Sequence, residues 1–261
     1  MSRLWTDELL GVVSPQNIAL VKKPLFGTAS AGGFSQTLQV DEDDHESILE
    51  TFGQGLAQLS APRSKLKLVL AGSLARYALT TPVNSLLSVE EETVLARQTF
   101  VHCYGDVSQD WMVRYQVQGL GEPFLCSAVE IGFVDKLRVL CRKHKIELRS
   151  MEPLLAIAWR KARRQLPSGT GWLAVTEPGR VHLISLQNRS WAHLAGSRTH
   201  GEWETVLATL LKREASIIDR SEDEPVWLMA TGPGVKLSET RSWRWLTAPR
   251  GDTPHLDLVL G

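Results

Sequence analysis

The chain has 261 residues, with 29 Lys+Arg against 29 Asp+Glu and 43% hydrophobic residues. At roughly 100–200 residues per domain this allows one large domain or two small ones, and a chain of this length buries a core without disulfide or metal staples. The charge balance gives no support to whole-protein attraction to nucleic acid or an acidic membrane, and does not exclude a local basic patch.

Cys103, Cys126 and Cys141 stand far apart with no C-x-x-C pair, which predicts small buried hydrophobes in a reducing compartment. The apolar runs fall well short of the ~20 residues that span a bilayer. The first residues lack a basic start followed by an apolar stretch, so no secretory signal is predicted and the expected location is cytoplasmic. Nine tryptophans, scattered from Trp5 to Trp245, form no single motif and read as packing residues.

In chain order, apolar runs at 9–13 and 18–21 flank the turn residues Ser14-Pro15-Gln16-Asn17, a strand–turn–strand unit. Residues 27–33 are Gly/Ala/Ser-rich and predict a loop, with a third strand at 34–40. Ile48, Leu49, Phe52, Leu56 and Leu59 recur at helical spacing despite Gly53 and Gly55. Residues 66–71 predict a strand, and 76–80 another short extended piece. Residues 1–81 therefore read β-β-β-α-β.

From 82 to 149 the pattern changes. Ser88 and Glu91 make a capping box, in which the hydroxyl and the carboxylate each satisfy a free backbone N–H, so a helix runs to about Tyr104. Strands follow at 111–117 and 124–129, then a helix marked by Ile131, Val134, Leu137, Leu140 and Cys141, and a short strand at 146–148, giving an α-β-β-α-β unit. Pro153 suits the start of a helix over 154–164. Beyond the linker at 166–171, a three-strand meander occupies 172–195. The stripe Trp203, Val206, Leu207, Leu210, Leu211, Ile217, Ile218 predicts a helix, a buried strand lies at 226–230, and the tail is irregular with a final strand at 256–260.

Most motif classes fail on inspection. The glycines at 27 and 32 have Walker A spacing, but Gly33-Phe34 stands where Lys-Ser/Thr would bind phosphate and magnesium. No G-x-S-x-G surrounds Ser73. His182 and His193 could face each other across the meander, but two imidazoles without a third ligand make a poor metal site. The adjacent His102 and Cys103 point apart on a helix, against a Cys–His dyad. The strands expected in the core carry no carboxylates for a two-metal nuclease. One charge asymmetry stands out: residues 136–164 hold ten basic residues against two acidic ones, Glu147 and Glu152. A solvated helix face accounts for such a run, and so does a surface for an acidic partner or an anionic leaflet.

This order of elements resembles the actin-like ATPase superfamily, in the form used by PilM of type IV pilus assembly, by the GspL cytoplasmic domain of type II secretion and by the cell-division protein FtsA. The stretches 128–137 (AVEIGFVDKL) and 144–153 (HKIELRSMEP) are similar to the PilM pattern of a helix leading into a Gly-Leu…Glu/Asp-Pro strand. Residues 171–197 followed by Thr199-His200-Gly201-Glu202 resemble its second-lobe hairpin and helix start. The resemblance implies an α/β, actin-like (RNase H-like) two-lobe fold. The first lobe is 1–81 and 150–165, the inserted α-β-β-α-β subdomain is 82–149, and the second lobe is 170–261.

The departures from the family pattern bear on function. ATP-binding members carry D-x-G turns in both lobes, whose N–H groups cradle phosphate while the Asp holds the magnesium shell. At the matching nucleotide-cleft positions this chain has Ser14-Pro15-Gln16, then Glu177-Pro178-Gly179, and a late Gly232-Pro233-Gly234. The loss of an aspartate and several donors, at about 1.5–3 kcal/mol per charged hydrogen bond, predicts weak ATP/Mg binding or none, and no catalysis. The resemblance implies a non-catalytic assembly protein docked on the cytoplasmic tail of an inner-membrane pilus or secretion protein and touching its assembly ATPase. It would reach the membrane through partners and bind no nucleic acid. A short peptide would lie against the inserted subdomain, and Lys136, Arg138, Arg142, Lys143, Lys145 and Arg149 are the candidate partner-binding residues. The alternatives are an active ATPase or sugar-kinase-like enzyme in which Glu177 replaces the aspartate, and an RNase H-like protein acting on nucleic acid.

Overall fold

Short apolar runs closed by turn residues build the first sheet, in a computed structural model that describes residues 7–23, 33–38, 44–177, 179–199, 202–230 and 243–247. Strand β1 (Glu8–Val13) turns through Ser14–Asn17 into β2 (Asn17–Lys23), with Val13 opposite Ile18 and Leu10 opposite Val21. Strand β3 (Gly33–Thr37) adds to β2 antiparallel. Helix α1 (His45–Leu59) then supplies the crossover that a parallel pair requires. Asp44 caps it by accepting the Ser47 N–H at 3.0 Å, and Ile48, Leu49, Phe52 and Leu56 form its buried stripe. Gly55 lies on that stripe because a Cβ there would sit 2.7 Å from Phe34 Cδ1 and 2.9 Å from Leu20 Cδ1. Close approach of helix to sheet thus offsets the ~1 kcal/mol a mid-helix glycine costs. Strand β4 (Lys65–Leu70) runs parallel to β1, with Leu9 beside Leu66 and Val12 beside Val69.

A single 3₁₀ turn, Gly72–Leu74, leads into β5 (Arg76–Leu79), which leaves this sheet. Helix α2 (Val89–Tyr104) carries both halves of the expected capping box. Strands β6 (Trp111–Gln116) and β7 (Leu125–Glu130) follow, and the three form a small sheet in the order β5-β7-β6. Ala78, Ala96, Phe100, Phe124, Cys126 and Ala128 are its core. The short extended piece at 76–80 is thus a strand of the small sheet, pinned where Thr80 Oγ1 accepts the Phe124 N–H at 2.8 Å.

Helix α3 (Ile131–Lys143) leads to β8 (Glu147–Pro153). The strand expected at 146–148 therefore forms, but it is longer and closes the first sheet instead of the small one. Its partner is β4, parallel, with Leu148 beside Leu66 and Met151 beside Leu68, and α3 provides the crossover. The first sheet is β3-β2-β1-β4-β8.

After α4 (Leu154–Ala162), strands β9 (Thr170–Glu177), β10 (Arg180–Gln187) and β11 (Ser190–Arg198) make the meander. Helix α5 (Trp203–Ile217) covers it, and β12 (Val226–Ala230) returns parallel to β9. Strand β13 (Arg244–Thr247), which no periodicity announced, pairs parallel to β12. The strand expected at 256–260 lies outside the described residues. The second sheet is β11-β10-β9-β12-β13. Counted within itself, each sheet runs 3-2-1-4-5 with the same strand directions, the repeated plan of the actin-like (RNase H-like) fold. The expected α/β two-lobe architecture is therefore present.

By packing, the chain divides into two compact units. One holds the described residues up to Ala75 with Val129–Ile157, and the other holds Arg76–Ala128 with the described residues from Ala158 on. In the second, Trp172, Val181, Leu183, Leu207, Leu210 and Leu228 form the centre of the core. Gly171 opens β9 beneath Trp227, where a Cβ would meet the indole Cη2 at 2.6 Å and the Pro225 carbonyl oxygen at 2.9 Å. A backbone atom cannot swing aside as a side chain can. Gly171→Ala is expected to lower stability by about 2 kcal/mol through overpacking, read as a lower urea midpoint at unchanged slope.

Candidate functional site

Each sheet contains one of the hairpin turns that the family resemblance matches to the nucleotide cleft. In the first, Ser14 is buried and its groups are used locally. Its N–H donates to the Asn17 carbonyl at 2.9 Å. Its Oγ donates to that same carbonyl and accepts the Asn17 N–H, both at 2.9 Å. Pro15 has no N–H and packs against Gly72, whose positive φ of 65° and missing Cβ admit the ring. Of the four backbone nitrogens at 14–17, that leaves Gln16 alone with a donor not taken up by the turn, and its carbonyl accepts the Leu38 N–H at 2.8 Å. The side-chain oxygens of Gln16 and Asn17 are buried with no hydrogen-bond partner among the described residues. A phosphate cradle needs converging donors, and this turn offers one.

The second turn joins β9 to β10, with Glu177 opposite Arg180. Gly179 takes a positive φ of 76° that suits glycine, and its carbonyl accepts the Thr199 N–H at 2.9 Å. Glu177 is 8% exposed and His182 4%, and Glu177 Oε1 lies 2.9 Å from His182 Nε2. The two buried side chains thus share a hydrogen bond. The Tyr77 ring meets the imidazole edge-on, centroids 5.3 Å apart at 82°. The carboxylate that could have stood in for the missing aspartate is thus a buried partner of an imidazole. Gly232 and Gly234 lie outside the described residues.

Two histidines that might have shared a ligand are separated by register: Gly196 stands opposite His182, and Ser185 opposite His193. His193 has its own carboxylate, with Nε2 2.7 Å from Glu214 Oε2, while Arg213 Nε donates to Glu214 Oε1 at 2.7 Å. Burial raises the Glu214 pKa, but the hydrogen bonds and charges of His193 and Arg213 outweigh it and hold the carboxyl below its ordinary 4.5. Among the described residues no group of three His, Cys, Asp or Glu could hold a metal ion. Burial pushes the Cys126 thiol up to about 12 and the Cys141 thiol up to about 11, so both are inert packing groups, whereas Cys103 is exposed.

Sequence reasoning missed how the loop between β6 and β7 grips the β10–β11 turn. The Gln118 amide donates to the Trp191 carbonyl at 3.1 Å and accepts the Trp191 N–H at 2.8 Å, as a neighbouring strand would. Ser190 Oγ donates to Glu122 Oε2 at 2.8 Å, and Trp159 packs edge-on against Trp191 with centroids 5.5 Å apart.

The basic run is split by the fold. Lys136, Arg138, Arg142 and Lys143 are exposed on α3, Lys145 is exposed just beyond it, and Arg149 is exposed on β8. Arg138 pairs with Asp135 at 2.9 Å. Arg160, Lys161, Arg163 and Arg164 belong to α4 and its end.

No family model and no curated protein matches the sequence. Solved structures match at low identity. The cytoplasmic domain of EpsL, an inner membrane component of the type II secretion system of Vibrio cholerae, aligns with TM-score 0.57 and 12% identity over 98% of this chain and 95% of that one. A Bacteroides thetaiotaomicron protein of actin-like ATPase fold and unknown function aligns with TM-score 0.62 and 10% identity over 98% and 95%. The PilM–PilN type IV pilus biogenesis complex aligns with TM-score 0.58 and 12% identity over 85% and 81%. These likenesses agree with the strand order in establishing the actin-like fold.

Two measurements check the carboxylate–imidazole pairs. Taking a hydrogen-bond partner from a buried polar group is costly, so His182→Leu is expected to destabilise by about 2 kcal/mol. The double variant Glu177→Met/His182→Leu should recover part of that loss, giving a non-additive cycle. For Glu214 the folded pKa is depressed, so its contribution is complete above the ordinary value of 4.5 and is lost as pH falls through the folded value. Glu214→Gln should therefore be less stable than the wild type at neutral pH, and the gap should narrow on acidification.

Proposed function

We propose that this protein is a non-catalytic scaffold of a type IV pilus or type II secretion-like machine. It works on the cytoplasmic side of the inner membrane, docked on the tail of a membrane-embedded assembly protein and contacting the assembly ATPase. The observation that carries this reading is the pair of closed hairpin turns within an actin-like fold. Where a nucleotide-dependent member needs an aspartate and converging N–H donors, Ser14 bonds Asn17, Pro15 has no donor, and Glu177 bonds His182. Likeness across nearly the whole chain to an EpsL cytoplasmic domain, and over most of it to PilM–PilN, supports the assembly role. Among the described residues no helix is long and apolar enough to cross a membrane, which suits recruitment by a partner.

The small sheet offers a docking edge. Strand β6 is its outer strand, with no strand beyond it among the described residues, and an extended tail could add there by main-chain hydrogen bonds, with alternate side chains setting specificity. The test is hydrogen–deuterium exchange with synthetic peptides of the cytoplasmic tails of pilus and secretion inner-membrane proteins from the same genome. One tail should slow exchange at 111–116. If no tail changes exchange anywhere on the protein, the scaffold reading is wrong.

A further inference from the structure

Among the described residues, the solvent face of α3 is strongly basic. Phe133, Val134, Leu137 and Cys141 turn inward, so at 3.6 residues per turn the opposite crest carries Gly132 and Val139. Val139 is 54% exposed. Basic residues flank this crest on both sides, Lys136 and Lys143 along one and Arg138 and Arg142 along the other. The acidic residue on this face, Asp135, is neutralised by Arg138 at 2.9 Å. Lys145 extends the basic surface past the helix end. Arg63 joins it there, its N–H donating to the Lys145 carbonyl at 2.7 Å. Among the described residues no ion pair or side-chain hydrogen bond engages Arg63, Lys136, Arg142, Lys143 or Lys145.

We propose that this face of α3 lies directly on an anionic lipid surface, with Lys136, Arg142, Lys143, Lys145 and Arg63 reaching the headgroup phosphates. The shape favours a flat partner. A crest of glycine and one exposed valine between two basic rails forms a low ridge, which brings both rails to a plane together. A peptide or a nucleic acid strand would call for a groove or for stacking aromatics, and the ridge has neither. Long flexible lysine and arginine stems let the charges spread to mobile headgroups without fixed geometry. The net charge of zero does not oppose this, because attraction decays within a Debye length of about 10 Å and only the facing charges count. Such a contact adds a direct membrane attachment to recruitment by a partner tail. It is independent of tail binding, which is measured without lipid.

The experiment is flotation of the full chain with phosphatidylcholine vesicles and with vesicles that also contain phosphatidylglycerol. The triple variant Lys136→Gln/Arg142→Gln/Lys143→Gln is compared with a control of equal charge change, Arg97→Gln/Arg189→Gln/Lys212→Gln, on exposed positions of α2, the β10–β11 turn and α5. The wild type and the control should float with the anionic vesicles and not with the neutral ones, and salt should abolish flotation. At about fivefold in partitioning per basic residue near an anionic surface, the α3 variant should bind about a hundredfold more weakly. Equal flotation with both vesicle types, equal loss in both variants, or retention only on acidic peptide or nucleic acid would overturn the proposal. Circular dichroism of each variant separates loss of binding from loss of folding.

Discussion

A backbone N–H or a carboxylate oxygen committed inside the protein is not available to a ligand, and each hairpin turn commits such groups: the Ser14 and Asn17 N–H groups in the first and Glu177 Oε1 in the second. At the β1–β2 turn one serine side chain both donates to and accepts from the residue three positions on. At the β9–β10 turn the glutamate is buried against a histidine on the next strand. The family resemblance matches these turns to ones that hold phosphate and magnesium in ATP-binding members. The consequence is two corners that keep the architecture while spending much of their polar chemistry locally, which is the ground of the proposed assembly role.

The rest of the second unit is organised around the same corner. His182, held by Glu177, receives the edge of Tyr77 from β5, and Gln118 and Glu122 of the β6–β7 loop bond the turn at Ser190 and Trp191. The small sheet is thereby joined to the second sheet by polar contacts whose partners would be left unsatisfied if they parted, which costs about 1–3 kcal/mol for each buried group. The small sheet is therefore backed by the core around Trp172 and Leu228.

What could be read from the sequence was what local physics decides. The Ser88–Glu91 capping box, the α1 and α5 stripes and the turn at Pro15-Gln16 all depend on residues within a few positions of one another, and all appear. What could not be read was pairing across long separations. The apolar triplet at Ile146–Leu148 announces a strand, but nothing in it says that β4, some eighty residues earlier, is the partner. Strand β13 is short and flanks no alternating pattern, so only its place beside β12 reveals it. The site shows the same division. Glu177 and His182 straddle a two-residue turn, which makes them diagonal neighbours across a hairpin and within reach of long side chains, so their contact was available to a reader counting register. His193 and Glu214 are separated by a strand end and a helix, and no local signal joins them. The basic run from 136 was visible, but its meaning depended on how α3 orients its rails.

The central claim is that the two turns have given up phosphate. Calorimetric titration of the purified protein with Mg-ATP tests it most directly. Turns with so few donors left for phosphate predict no detectable heat up to millimolar nucleotide. Binding tighter than about 100 µM, equivalent to more than about 5 kcal/mol, and lost in Glu177→Ala, would contradict the account and restore a nucleotide-dependent protein.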